Sequence, residues 1–341
     1  MRFKHETGSA GNGRSLLMDY KAGRLKRTEL PMNFSNQDLQ GVDLSGLDLS
    51  GFDFSGANLS NANLEGARLF KAKLSGAVFN KANISGAELS GADLEGANLE
   101  EVKGRNVGLG MAKLKGALLF QADLSGATVT MTDLTGADLR CCNFRGARLR
   151  QAKIIGADLT NADLRDTDMS LSQVDGSNFT NADLRGARLR QVSGYDSATW
   201  IGVDIRDINF SGAYLMRRFI MDQNFLKEFR ERSKATRVLY YIWWITSDCG
   251  RSMLRWCGWT LLLIVLFGVL YMIVGVDYGA HPTWLSPFYY SVVTLTTLGY
   301  GDVIPANTAS QIIAMVEVVT GYIMLGGLLS IFTNKMARRA D

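Results

Sequence analysis

The chain has 341 residues, 47% of them hydrophobic and 21% charged, and its formal net charge is +4. A basic excess is confined to residues 1–33 and 216–252, and because the second segment directly precedes a long apolar stretch, it favours the cytoplasmic flank of a membrane helix over a nucleic-acid site. Four cysteines without C-x-x-C spacing and only two histidines argue against a zinc site, and we expect no cofactor.

The N-terminal segment, residues 1–33, holds seven Lys or Arg and three Asp or Glu. It precedes the start of a regular repeat. Its own pattern leaves two alternatives open, a structural cap for that repeat or a basic tail.

Residues 34–215 repeat with a period of five. Every fifth residue from Leu39 to Leu189 is apolar except Gly104, so 30 of 31 positions fit. A small residue, usually Ala, lies two positions before most of them. This period is typical of neither an α-helix nor a strand, so the backbone must turn a corner every five residues and point one large and one small side chain inward on each side.

The phase of the repeat breaks between Gly194 and Gly202. It returns one residue later, through Ile205, Phe210 and Leu215. We interpret the break as a looped-out insertion before a last partial coil.

The pattern A-(D/N)-L-x-x resembles that of the pentapeptide-repeat family, and the resemblance covers residues 34–215. It implies a right-handed, four-sided β-helix with about 20 residues in each coil. Nine coils at the usual spacing of β-ladders, ~4.8 Å, would form a rod of roughly 43 Å. Some members mimic DNA and bind topoisomerases, which requires a strongly acidic outer face. Residues 101–150 hold eight basic and four acidic residues, so we expect neither DNA mimicry nor a nucleic-acid partner.

A change of period at residue 216 marks a linker over residues 216–252. Met221, Phe225 and Phe229 follow i, i+4 spacing among basic residues, which predicts an amphipathic helix. The aromatic-rich stretch 238–245 follows it and is typical of the headgroup region of a bilayer. A helix at the membrane interface and a helix that caps the β-helix remain alternatives, and both roles are compatible.

Two long apolar stretches predict membrane-spanning helices, at residues 253–276 and 308–333. At 1.5 Å per residue the first would measure about 36 Å, enough to cross a bilayer with some tilt. No Lys or Arg lies between Trp256 and Asn334, whereas basic residues flank the pair on both sides. The positive-inside rule therefore predicts a multi-pass membrane protein with both termini and the β-helix in the cytoplasm. We expect its location to be the inner membrane of a bacterial cell.

Between the two spans, Ser286 and Pro287 are good helix-starting residues and predict a short pore helix over 287–296 that re-enters the membrane. The sequence TTLGYGD at 296–302 follows it and resembles the potassium-channel signature TTxGYGD, within a pore domain at residues 253–341. Backbone carbonyls can replace the hydration shell of K⁺ when four such loops surround an axis, and glycine permits the required backbone conformations. The predicted selectivity filter spans residues 297–302. The resemblance implies ion-binding residues Thr297, Leu298, Gly299, Tyr300 and Gly301, with K⁺ held at the first four of these, and supporting residues Asp302, Tyr289, Tyr290 and Thr296.

Two residues depart from the common pattern of this family. Leu298 replaces the more frequent Val, and Val293 occupies the position where some members carry a Glu bonded to the filter aspartate. We expect the stability of the filter to differ accordingly.

Candidate gating residues lie in the second span. Gly321, Gly326 and Gly327 are candidate hinge positions, with close helix packing as the alternative. Glu317 must be paired or solvated inside a membrane. Our hypothesis is that it bonds the pore helix, and a charge facing the pore is the alternative.

Together these patterns predict a multi-domain fold, a β-helix followed by a membrane α domain. The predicted function is a homotetrameric K⁺-selective channel in a lipid bilayer, because one filter segment provides a quarter of the ion path. The β-helix would scaffold or regulate the pore, with an unidentified cytoplasmic partner. A non-selective cation channel and a membrane-anchored scaffold with a vestigial pore are the alternatives. We do not expect an enzyme, because the sequence shows no combination of a nucleophile with a catalytic base.

Overall fold

A computed structural model describes residues 10–208, 210, 213–279 and 283–337 of the chain, without the side chains of residues 10–12 and 334–337. It divides into two compact units, Met1–Phe225 and Leu226–Asp341, which we describe separately. The first nine residues of the predicted N-terminal segment and the last four residues of the predicted pore domain lie outside the described part.

The first unit is built on a β-helix. Helix α1 (Ala10–Lys21) and a 3₁₀ turn (Arg27–Glu29) precede it. Single parallel β-bridges then join residues 20 apart, from Asn33 with Asp53 to Gln173 with Ser193, at every fifth residue. Four such bridges per coil give four sides. Together with the two long apolar helices of the second unit, this confirms the predicted fold class of a β-helix followed by a membrane α domain.

The interior of the β-helix is filled as the repeat predicted. All 30 apolar fifth positions between Leu39 and Leu189 are buried, as are the small residues two positions before them. At Gly104 the space is taken by neighbouring coils, since an added Cβ would lie 2.8 Å from Leu124 and 3.3 Å from Ile84. The core is therefore continuous past the single exception.

Outside the core, Asp side chains bond the chain at its corners and pair with Arg in neighbouring coils. Arg185 donates to Asp183 at 2.6 Å and lies 3.6 Å from Asp204 in the next coil. The hydrogen bond from Arg185 lowers the pKa of Asp183, and that from Arg206 lowers the pKa of Asp204 to about 2. These carboxylates therefore keep their charge to a lower pH than an ordinary Asp side chain. With the arginines they form a ladder of ion pairs across coils.

The described part of the N-terminal segment covers the first coil. Leu17 is fully buried in the same apolar core as the coils. Arg14 donates to the carbonyl of Gln40 at 2.7 Å, and Arg27 donates to the carbonyls of Asp48 and Ser50. Of the two alternatives for this segment, residues 13–33 have the contacts of a cap.

The other end of the β-helix contains one inserted residue. Its last bridges, Asn178 with Thr199 and Asp183 with Asp204, join residues 21 apart. Trp200 fills the end of the core, stacked on Phe179 with ring centroids 4.2 Å apart. The interpretation of the phase break as an insertion therefore agrees with the structure.

Helix α2 (Tyr214–Arg232) begins where the repeat was expected to continue. The prediction of Leu215 as an inward position of the last coil is wrong, because it lies in this helix and is 51% exposed. Met216 and Ile220 are buried instead, and Gln223 and Asn224 bond the backbone of Trp200. The start of α2 thus caps the β-helix and satisfies its free backbone groups.

Among its described residues, the second unit contains the end of α2, four further helices and a two-stranded sheet. The helices are α3 (Lys234–Ser247), α4 (Met253–Val274), α5 (Ser286–Leu295) and α6 (Thr308–Ala337). Strands β1 (Val276–Asp277) and β2 (Ile304–Pro305) pair antiparallel. The first apolar span ends two residues earlier than predicted, because Gly275 at φ +75° leaves the helix and leads into β1. Helix α6 extends beyond the predicted end of the second span at residue 333.

Helix α4 and residues 308–333 of α6 are both long and apolar enough to cross a membrane. Most of their large apolar side chains are exposed, among them Ile273 at 75% and Met315 at 69%. A buried helix pair of a soluble protein would hide these side chains, so the exposure favours lipid or other protein chains as their surroundings.

Candidate functional site

Helix α5 starts and stops at sequence signals. Thr283 donates its backbone N–H to the Ser286 hydroxyl at 2.8 Å, and Pro287 occupies the first turn, where no N–H is needed. The helix ends at Leu295, and the Thr296 hydroxyl donates to the carbonyl of Val292 at 2.6 Å. Helix α5 begins and ends one residue before the bounds predicted for the pore helix, 287–296.

The loop that follows α5 alternates in backbone conformation. Thr297, Gly299 and Gly301 have φ values of +58°, +53° and +76°. An alternation of this kind turns successive carbonyls of an extended loop toward the same side, whereas successive carbonyls of an ordinary strand point to opposite sides. The two glycines adopt it without strain, and Thr297 adopts it at a cost of about 1 kcal/mol.

The first residues of this loop are tied to the end of α5. The backbone N–H of Thr297 donates to the carbonyl of Thr294 at 3.1 Å, and that of Leu298 donates to the carbonyl of Val293 at 3.0 Å. Because these bonds close a helix C-terminus, the position of α5 determines where the loop begins.

In a single chain, the large side chains of this loop are exposed. Leu298 is 59% exposed and Tyr300 is 67% exposed. Asp302 accepts a hydrogen bond of 2.7 Å from the Tyr289 hydroxyl. Val293 is buried, so Tyr289 is the partner of this aspartate where some relatives of the signature use a Glu.

The two other expected supporting residues contact different parts of the unit. The ring of Tyr290 lies edge-on to that of Tyr271 with centroids 4.7 Å apart, and the hydroxyl of Thr296 bonds within its own helix. The structure therefore brings Tyr289 and Asp302 together, whereas Tyr290 and Thr296 brace α5.

One face of α5 makes three close contacts. Phe288 packs on Gly268 of α4, where an added Cβ would lie 2.5 Å from the ring. Ser291 donates to Glu317 of α6 at 2.5 Å, and the carbonyl of Leu295 lies against Gly321 of the same helix. Spacings of three and four residues put these contacts on one side of the helix.

The sequence analysis missed Gly268, Tyr271 and Ser291. Tyr271 donates its hydroxyl to Glu317 at 2.6 Å, so the carboxyl accepts from two helices and does not project into open space. Each of three apolar segments contains a polar side chain, and this pattern could have predicted contact between the segments. Polar groups inside a membrane tend to form hydrogen bonds with one another.

The candidate hinge glycines differ in their surroundings within one chain. A Cβ on Gly321 would overlap the carbonyl of Leu295, and one on Gly327 would overlap the ring of Trp256. Trp256 also donates its ring N–H to the carbonyl of Met324 at 2.8 Å. A Cβ on Gly326 meets nothing within 4 Å.

Charge around the loop is negative. The stretch from residue 257 to 333 has three acidic residues, Asp277, Asp302 and Glu317, and no Lys or Arg. Gly279 donates its backbone N–H to Asp277, and a Cβ on this glycine would lie 3.3 Å from the carbonyl of Asp302, so both carboxylates belong to the same end of the unit. Such a surface attracts cations. Among the described residues, no group of three or more His, Cys, Asp or Glu could hold a metal ion.

Comparison with known protein families matches two segments of the chain. The family described as "Ion channel" matches residues 259–338. The family described as "Pentapeptide repeats" matches in eight copies between residues 33 and 191.

Similar curated proteins are potassium channels. Two pore potassium channel b of Oryza sativa subsp. japonica is 36% identical over 84 residues, which cover 24% of this chain and 24% of the relative. Potassium voltage-gated channel protein Shal of Drosophila melanogaster is 27% identical over 146 residues, which cover 41% of this chain and 24% of the relative. The chain thus spans about a quarter of the length of these relatives.

Similar solved structures are pentapeptide-repeat proteins. HetL of the cyanobacterium Nostoc sp. strain PCC 7120 is 29% identical, with 58% of this chain and 94% of HetL covered and a TM-score of 0.34. QnrB1, a plasmid-mediated fluoroquinolone resistance protein, is 21% identical, with 52% and 92% covered and a TM-score of 0.39. The chain joins a domain of pentapeptide repeats, residues 33–191, to an ion-channel domain, residues 259–338.

Proposed function

We propose that four copies of this chain form a K⁺-selective channel, with the loop at residues 297–301 as its selectivity filter. The observation that carries the proposal is the alternation of positive φ at Thr297, Gly299 and Gly301, directly after a short helix between two long apolar ones. Carbonyls of Thr297 to Tyr300 then act as K⁺ ligands in place of water.

A fourfold assembly fits the exposure of the single chain. Tyr300 and Leu298 leave large apolar surfaces uncovered, as do the side chains along α6. Neighbouring copies around a common axis would cover the surfaces nearest the filter, and lipid would cover the rest. Asp277 and Asp302 would raise the local cation concentration at the outer entrance.

The orientation follows from the distribution of basic residues. With both termini in the cytoplasm of a bacterial cell, the β1–β2 sheet and the acidic entrance face outward and the β-helix is cytoplasmic. The β-helix would dock a cytoplasmic partner or stiffen the assembly, since a stack of coils presents a long, regular surface. Helix α3, with exposed Leu239, Ile242 and Trp244, would lie at the headgroup level.

The test is ion flux from the purified full-length protein in liposomes, with K⁺ and Na⁺ gradients compared. We expect K⁺ flux that far exceeds Na⁺ flux. Gly299→Ala should reduce it several-fold, because a residue with a Cβ adopts φ +53° at a cost of about 1 kcal/mol. Gly258→Ala is the matched control, since this helical glycine has nothing within 4 Å of its added Cβ.

Two outcomes contradict the proposal. Equal K⁺ and Na⁺ flux would indicate a non-selective cation channel. Absence of flux from intact tetramers would indicate a membrane-anchored scaffold with a vestigial pore.

Removal of residues 1–213 tests the role of the β-helix separately, because it leaves α2 intact from Tyr214. A changed open probability or a loss of tetramers would support scaffolding or regulation. An unchanged channel would show that the β-helix is dispensable for the pore.

A further inference from the structure

A carboxyl group lies fully buried in the middle of an apolar helix. Glu317 has no exposed surface, and α6 is apolar on both sides of it. A carboxyl without partners in such surroundings is strongly destabilising, so a buried carboxyl needs hydrogen-bond partners. Both of its oxygens have one, the hydroxyls of Tyr271 and Ser291.

These partners place Glu317 at the junction of three helices. Tyr271 belongs to α4, Ser291 to α5 and Glu317 to α6. The ring of Tyr271 also packs edge-on against Tyr290, the residue before Ser291. The group is therefore the polar centre of an otherwise apolar three-helix contact.

The three contacts on the face of α5 differ in kind. The outer two, Phe288 on Gly268 and Leu295 on Gly321, are steric fits without a preferred direction. The middle one, Ser291 to Glu317, is a hydrogen bond, whose strength falls steeply with distance and angle. It is the contact that resists both sliding and rotation of α5.

Movement of α5 is passed directly to the loop. The last turn of the helix accepts the backbone N–H groups of Thr297 and Leu298. A displaced helix would carry the carbonyls of these residues with it. Cation coordination by carbonyls depends on their number and spacing, so the choice between K⁺ and Na⁺ would change.

We propose that Glu317 is a positioning residue, which fixes the height and rotation of α5 through Ser291 and Tyr271 and thereby sets the ion selectivity of the loop at 297–301. The inference rests on the proposed function and deepens it, because it assigns a determinant of selectivity that does not touch the ion.

The experiment measures the Na⁺-to-K⁺ permeability ratio from reversal potentials of full-length tetramers in bilayers, for Ser291→Ala, Tyr271→Phe and Glu317→Gln. Loss of one buried hydrogen bond corresponds to a change of up to about tenfold, and we expect Ser291→Ala to raise the ratio by roughly this factor. Glu317→Gln should have a smaller effect, because an amide can still accept from one hydroxyl and donate to the other. Thr320→Ala is the matched control, since within the described residues this hydroxyl donates to the carbonyl of Val316 in its own helix.

A permeability ratio separates positioning from simple structural support. A residue that only stabilises the fold would change the number of tetramers and leave the ratio of each one unchanged. Ser291→Ala combined with Glu317→Gln should shift the ratio by about as much as Ser291→Ala alone, because the bond to Ser291 is then already lost and the amide keeps a bond to Tyr271. Additive shifts would overturn the link between the two residues.

An unchanged ratio in both Ser291→Ala and Tyr271→Phe, with intact tetramers, overturns the inference. If Glu317→Gln fails to assemble, these two variants still decide, because they remove one hydroxyl each and leave the carboxyl in place. A wild-type protein that conducts without preferring K⁺ would overturn the proposed function, a result distinct from failure of the variants alone.

Discussion

Gly321 of α6 lies so close to the carbonyl oxygen of Leu295, the last residue of α5, that a Cβ atom at this glycine would overlap it. The contact is with backbone, which cannot rotate away as a side chain can. It holds the end of the short helix next to the loop that we propose as the filter.

Alanine substitutions should therefore separate packing from hinge function among the glycines of α6. Gly321→Ala and Gly327→Ala should each destabilise the protein by about 1–3 kcal/mol or more, because the added methyl has no room beside Leu295 or Trp256. Gly326→Ala should be tolerated or slightly stabilising, since alanine favours helix. Thermal unfolding of the detergent-solubilised protein measures the difference. Wild-type stability of Gly321→Ala with altered opening would favour a hinge instead.

Tyr289→Phe should weaken the outer end of the filter. It removes the hydroxyl that donates to Asp302 at 2.7 Å and keeps the ring. Tyr289 is 41% exposed, so we expect a modest loss of about 1 kcal/mol, or a roughly fivefold faster decay of K⁺ current. Macroscopic current from reconstituted protein measures the decay. Tyr241→Phe is a control, because Tyr241 is an exposed tyrosine of α3, outside the segment 253–341 that contains the filter loop. Equal decay in both variants would contradict the prediction.

Gly104→Ala should destabilise the β-helix, even though the corresponding position of most other repeats holds Leu. The added methyl would meet Leu124 at 2.8 Å, since neighbouring coils already fill the space, and overpacking of this kind costs about 1–3 kcal/mol. Gly110→Ala is the control, as its Cβ would meet the Ser90 hydroxyl at an ordinary 3.4 Å. Chemical denaturation of the full chain, followed by circular dichroism, compares them. A more stable Gly104→Ala would show that a cavity had remained.

Acid should unfold the β-helix at a higher pH when its carboxylates lose their arginine partners. The pKa of Asp183 is lowered in the folded state by its hydrogen bond from Arg185, so the pair stabilises the fold above the ordinary Asp pKa of 3.8 and loses this effect as pH falls through the folded value. Arg185→Gln should bring that pKa up toward 3.8 and move acid unfolding to a higher pH. The shift should be small, because the pair is partly exposed.

Circular dichroism between about pH 4 and pH 2, the range between the ordinary Asp pKa and that of Asp204, measures this shift. Arg150→Gln serves as the control, because Arg150 has no ion pair within the part of the chain that the structure describes. An identical midpoint in the two variants would show that the ladder does not contribute to acid stability.

The sequence predicted the β-helix almost to its ends because each inward position is specified independently. A residue such as Leu114 is buried by its own coil and the two beside it, and the same rule then holds 20 residues later. The rule fails at Leu215, because no further coil covers its side chain. There the chain forms a helix instead, which buries Met216 and Ile220.

The candidate site was predictable only where neighbours in sequence determine it. Pro287 predicts a helix start, because its ring fixes φ and it has no N–H to bond. The glycines at 299 and 301 predict an unusual backbone, because they adopt positive φ without strain. The convergence of Tyr271, Ser291 and Glu317 depends on how three helices cross, over separations of 26 and 46 residues. The sequence suggested that Glu317 bonds the pore helix, but it did not identify Tyr271 and Ser291 as the partners, because spacing within one helix does not determine which residues of another helix it meets.

A coil of 20 residues with four sides fixes what length changes the β-helix can accept. Duplication of 20 residues would add one coil, about 4.8 Å, and leave the chain's exit on the same side. An insertion of five would rotate that exit by a quarter turn, whereas the single extra residue between Asn178 and Thr199 is absorbed without any rotation. Evolution can therefore lengthen this domain in whole turns while the helix that follows it keeps its direction.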